Sequence, residues 1–129
     1  MLDHVSLQVG DVDEAVRFYV AVLAPLGVAE VMRLPRGDSA VVALGGRSGG
    51  TRLWLGPVDE SGPATAREVH LAFTAASPAE VQTVHTAATA IGAQILHPPR
   101  EWPGYHPGYF AVFLRDLDGN NVEAVWHGV

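Results

Sequence analysis

His4-Val5-Ser6-Leu7-Gln8-Val9 and His70-Leu71-Ala72-Phe73-Thr74 both alternate polar with apolar residues, the pattern of a half-buried β-strand. The two histidines stand 66 positions apart, as do Asp11 and Ser77, and Glu14 and Glu80. Asp11 and Ser77 are good N-cap residues, and each has a glutamate three positions on, as in a capping box. Pro78 falls on the first helical position of the second copy, where its missing N–H costs nothing. A strand followed by a capped helix is therefore written twice.

Both caps open amphipathic stretches. Ala15, Phe18, Tyr19, Val22, Leu23 and Leu26 form one apolar stripe, with Pro25 near its end and Gly27 as the stop. Val81, Val84, Ala88 and Ile91 form the other, stopped by Gly92. Strand-like runs follow each helix, at about 28–33, 39–44 and 51–55, then at about 94–97, 109–115 and 121–126. Asp116-Leu117-Asp118-Gly119-Asn120 is a strong hairpin turn between the last two. The expected fold is α+β: two tandem βαβββ modules, about 1–56 and 69–129, joined by a Gly-, Pro- and Ser-rich linker at 57–68. Neither unit can bury both faces of its own sheet, so the pair is expected to form a curved mixed sheet around a metal or ligand cavity.

Composition removes several chemistries. The chain has 129 residues, one domain by size, and no cysteine, so disulfides, thiolate metal sites and Cys nucleophiles are excluded. All eight fixed cations are arginines, which excludes Schiff-base lysine chemistry. A net charge of −6 with scattered arginines argues against nucleic acid and against anionic membranes. No apolar run nears the roughly 18 residues of a membrane span. The opening stretch lacks a signal-peptide pattern, so a cytoplasmic location is expected.

Strand alternation assigns faces. Val5, Leu7 and Val9 should pack on the first helix, leaving His4, Ser6 and Gln8 on the other side. Val69, Leu71 and Phe73 should pack on the second, leaving His70, Ala72 and Thr74. In the last strand Val122, Ala124 and Trp126 make the apolar face, and Glu123 points away. His4, His70 and Glu123 are therefore all aimed from non-helix faces. Two imidazoles and one carboxylate suit a divalent metal: Fe, Mn, Zn or Ni.

The duplicated module, its paired histidines and the closing Arg115-Asp116-Leu117-Asp118-Gly119-Asn120-Asn121-Val122-Glu123 resemble the vicinal oxygen chelate superfamily. That family holds glyoxalase I, extradiol dioxygenases, methylmalonyl-CoA epimerase, fosfomycin-modifying enzymes and bleomycin-binding resistance proteins. The resemblance implies that Glu123, His4 and His70 are metal ligands. It also implies a small-molecule substrate that chelates through neighbouring oxygens, and a lyase or dioxygenase activity. Family members build the cavity within one chain or across a dimer, and a homodimer is expected here. A fourth ligand, present in glyoxalase I and the epimerase, would fall in Arg52-Leu53-Trp54-Leu55, where Trp54 faces the cavity and cannot ligate. The alternative is a non-catalytic protein that sequesters an aromatic drug or metabolite.

The stretch from His97 to Tyr109 joins two strands and concentrates aromatics. It reads either as a rigid proline-rich loop completing the core or as a lid over the metal. In the second reading His106 and Tyr105 are the candidate catalytic acid or base, and Trp54, Arg52, Trp102 and Tyr109 are the candidate substrate pocket. His97 and His127 read as structural, and His85 as solvated.

Overall fold

The computed structural model describes residues 2–62 and 67–129. Part of the expected linker, 63–66, lies outside them. The elements are β1 (His4–Val9), α1 (Val12–Leu23), β2 (Ala29–Arg36), β3 (Ser39–Gly45), β4 (Arg52–Pro57), β5 (His70–Thr74), α2 (Pro78–Ala90), β6 (Ile95–Glu101), β7 (Phe110–Arg115) and β8 (Asn121–Trp126). Each half is β-α-β-β-β, as the duplication requires.

Local chemistry explains the boundaries. The Asp11 and Ser77 side chains accept the Glu14 and Glu80 backbone N–H groups, so both caps form. Pro25 ends α1 early: Ala24–Leu26 tightens into one 3₁₀ turn, closed by Gly27 at φ +76°. β6 runs on to Glu101, through Pro98 and Pro99, where a loop was expected from His97. Those prolines are tolerated because β6 is an outer strand and kinks past them, its register shifting between His97 and Arg100. The irregular segment is therefore 102–109.

The strands form two four-stranded sheets, in the orders β1-β4-β3-β2 and β5-β8-β7-β6. β1 runs parallel to β4, and β5 to β8; the remaining pairs are antiparallel. Each helix crosses one face of its own sheet, and the helices touch each other. One apolar core therefore spans both modules, from Leu7, Val42 and Leu55 through α1 and α2 to Val112, Leu114 and Val122. Within one chain the two sheets share no strand pair, so β1 and β5 each keep one free edge among the described residues.

The Asp116–Asn120 turn does more than reverse the chain. Asp116 is buried and accepts from the Tyr19 hydroxyl on α1 at 2.5 Å and from Asn120 Nδ2 at 2.9 Å. Asp118 Oδ1 accepts the Gly10 N–H at 2.9 Å. With an Arg47–Glu80 ion pair at 3.0 Å, these contacts fasten the second module to the first.

Candidate functional site

Each sheet has one helix-covered face and one open face. Val5, Leu7 and Val9 turn inward, whereas His4, Ser6 and Gln8 are exposed. Leu71 and Phe73 are partly buried, whereas His70, Ala72 and Thr74 are exposed. The alternation assigned these faces correctly within the strands, but Val69, expected on the helix side, precedes β5 and is exposed.

Register aligns the modules. Ser6 pairs with Trp54 across β1 and β4, and Ala72, the equivalent of Ser6, pairs with Glu123 across β5 and β8. His4 with Trp54 thus corresponds to His70 with Glu123. In the second module the pair is chemically complete. His70 Nε2 lies 2.9 Å from Glu123 Oε2, and the Tyr109 hydroxyl donates to Glu123 Oε1 at 2.5 Å. Glu123 is only 2% exposed, so these two contacts compensate a carboxylate removed from water. Burial, and then the bond to Glu123, push the Tyr109 phenol above its ordinary pKa. Asn121, opposite His70 in the register, has a buried amide oxygen without a hydrogen-bond partner among the described residues.

Segment 102–109 folds back over this open face. Trp102 and Tyr109 pack on Ala111, Phe113 and Val125 to make a second, small apolar cluster. Trp102 donates from its indole N–H to the Ala111 carbonyl at 3.3 Å and carries the Arg100 guanidinium 3.4 Å over its ring. Tyr105 leans on Tyr109 at 4.8 Å between ring centroids and is itself 64% exposed. His106 Nε2 meets His127 Nδ1 at 3.1 Å, and both rings stand 5.2 Å from that of Tyr109.

The expected residues are thus gathered in two groups. His70, Glu123, Trp102, Tyr105, His106 and Tyr109 share the open side of the second sheet. His4, Arg52 and Trp54 belong to the first, where His4 Nδ1 lies 2.6 Å from Asp3. Among the described residues of one chain, no three His, Cys, Asp or Glu side chains stand close enough to hold a metal ion. A cavity of about 710 Å³ between the modules has Val5, Leu53, Leu71 and Phe73 in its wall, with Arg52 and His70, but not Trp54, Trp102 or Tyr109. The four expected pocket residues therefore do not share it. Two roles escaped the sequence. Tyr109 bonds Glu123, and His127, read as structural, joins the His106–Tyr109 group. Only the Tyr-rich spacing of 105–109 hinted at either.

The model of the Glyoxalase/Bleomycin resistance protein/Dioxygenase superfamily matches residues 1–124. The chain belongs to this superfamily. Among solved structures, it resembles a glyoxalase/bleomycin resistance protein from Albidiferax ferrireducens (28% identity, 97% of this chain and 98% of that one, TM-score 0.78). It also resembles a lactoylglutathione lyase from Agrobacterium tumefaciens (27% identity, 97% and 92%, TM-score 0.69). TioX from Micromonospora, at 23% identity over 98% of each chain and TM-score 0.73, shares the fold. A comparison with curated proteins gave no match.

For a member of this superfamily, the question is whether the donor set suits a divalent metal. A buried carboxylate beside an imidazole nitrogen, with its other oxygen already oriented by a phenol, fits such an ion on chemical grounds. Trp54 offers no ligand at the equivalent place in the first module.

Proposed function

We propose that this protein is a metal-dependent enzyme of the glyoxalase and dioxygenase type. Its substrate would be a small molecule that chelates the metal through neighbouring oxygens. One observation carries the reading: the buried Glu123 carboxylate divides its oxygens between His70 and Tyr109 on an otherwise open sheet face. His70 and Glu123 would hold Fe, Mn, Zn or Ni together with His4 of a second copy in a homodimer. The free edges of β1 and β5 support that pairing. The ion, when bound, would supply Lewis-acid polarisation of the substrate oxygens. His106 and Tyr105, at the rim of the roof, are the proposed proton carriers. Arg52, Trp54 and Trp102 are the proposed pocket walls, for a small-molecule partner in the cytoplasm.

The test is metal content. Protein purified without chelators and loaded with Mn, Fe, Ni or Zn is expected to retain about one ion per chain. His70→Ala and Glu123→Gln should each abolish retention. A wild-type chain that holds none of the four at micromolar concentration overturns the reading. Trp54 at the ligand-equivalent position favours a second reading, sequestration of a flat aromatic compound without metal. Tryptophan fluorescence that responds to planar ligands in metal-free protein would support it.

A further inference from the structure

We infer that Tyr109 is a positioning residue for the Glu123 carboxylate, and that segment 102–109 with the C-terminal tail is the device that holds it in place. The inference deepens the metal-centre reading, on which its bearing on metal affinity rests. A glutamate side chain can rotate its carboxylate and present either oxygen. Here the phenol O–H occupies Oε1, so Oε2 is the oxygen turned to His70. Removing that donor frees the rotation and leaves a buried oxygen unpaired.

The phenol is not free to wander. Tyr105 covers one side of its ring at 4.8 Å, and the His106 and His127 rings meet it at 5.2 Å, at interplanar angles of 79° and 88°. His106 is tied to the tail by the 3.1 Å contact with His127 and donates from Nδ1–H to the neighbouring Pro107 carbonyl at 2.9 Å, since a carbonyl oxygen can only accept. Nδ1 therefore carries the proton when this ring is neutral, and His127 Nδ1–H donates to the bare Nε2. Gly108, immediately before Tyr109, sits at φ +83°, and a Cβ there would lie 3.1 Å from the Gly128 Cα. Backbone thus packs directly on backbone next to the tyrosine, which only glycine permits. The roof and tail grip Tyr109 from its ring and from its own chain.

The experiment compares Tyr109→Phe with Tyr19→Phe, which also deletes a phenol that donates to a buried carboxylate but lies outside the site. Two readouts are taken: the side-chain ¹⁵N shifts of His70 in metal-free protein at fixed pH, and Co(II) affinity. Tyr109→Phe should move the His70 shifts and weaken Co(II) binding roughly 10- to 100-fold, whereas Tyr19→Phe should lower stability and change neither. Moved His70 shifts in a protein that binds no Co(II) even as wild type would uphold the positioning role and defeat the metal reading. Unmoved shifts, or an unchanged affinity in Tyr109→Phe when the wild type does bind Co(II), would overturn the positioning role itself.

Discussion

Tyr19 and Tyr109 each donate to a buried carboxylate, yet the two bonds serve different ends. Tyr109 stands at the rim of an open face, whereas Tyr19 is 1% exposed and ties α1 to the turn that starts at Asp116. Tyr19→Phe should therefore act on stability alone, by about 1–3 kcal/mol in urea unfolding at neutral pH. Burial first, and Asp116 second, raise the Tyr19 phenol above its ordinary pKa. A group whose folded value is raised contributes stability that is complete below its unfolded value and lost as pH rises beyond it. The gap between wild type and Tyr19→Phe should then narrow above about pH 10. A gap that stays constant through alkaline pH would show that Asp116 does not depend on the phenol. At this scale the ligand candidates were legible because strand alternation fixes direction. The bond from Tyr109, expected only as a pocket wall, to Glu123 was not, because Tyr109 lies in an irregular segment with no period to read.

The second helix shows how an element is anchored by both local and distant groups. Ser77 caps α2, and Glu80 accepts from the Ala76 N–H at 2.8 Å and from Arg47 at 3.0 Å. Ser77→Ala should cost about 1 kcal/mol in thermal or urea unfolding. The Ala76 N–H first, and Arg47 next, hold the Glu80 carboxyl below its ordinary pKa. Such a group stabilises above its unfolded value, and that contribution disappears as pH falls through the folded one. The stability difference between wild type and Glu80→Gln should thus be present at neutral pH and vanish below about pH 4. A difference that persisted in acid would rule out the carboxylate charge as its source. The capping boxes were readable because they are contacts three residues apart. The extension of β6 through Pro98 and Pro99 was not, since only its place at the outside of the sheet excuses the missing N–H groups.

Over the whole molecule, the modules are fastened through their helices and through the Tyr19–Asp116, Gly10–Asp118 and Arg47–Glu80 contacts. That arrangement leaves His4 on one sheet and the His70–Glu123 pair on the other. If the proposed centre is shared between two chains of a symmetric dimer, metal-free His4→Ala and His70→Ala proteins should complement each other. Mixed dimers then carry one intact site of two, and statistical exchange restores about a quarter of the sites. Metal content of the mixture, read after exchange under mild denaturant, checks this. No recovery from subunits shown to have exchanged would place each centre within a single chain.

By itself the sequence determined the repeated βαβββ order, the two caps and the placement of His4, His70 and Glu123 on the faces away from the helices, because each depends on spacings of two to four residues. The tertiary structure alone decided which of those side chains meet. It joined His70, Glu123 and Tyr109, and turned a hairpin into an inter-module clasp. Those outcomes depend on how sheets, helices and a folded-back segment pack, and the free energy of packing resides in contacts between residues far apart in the chain.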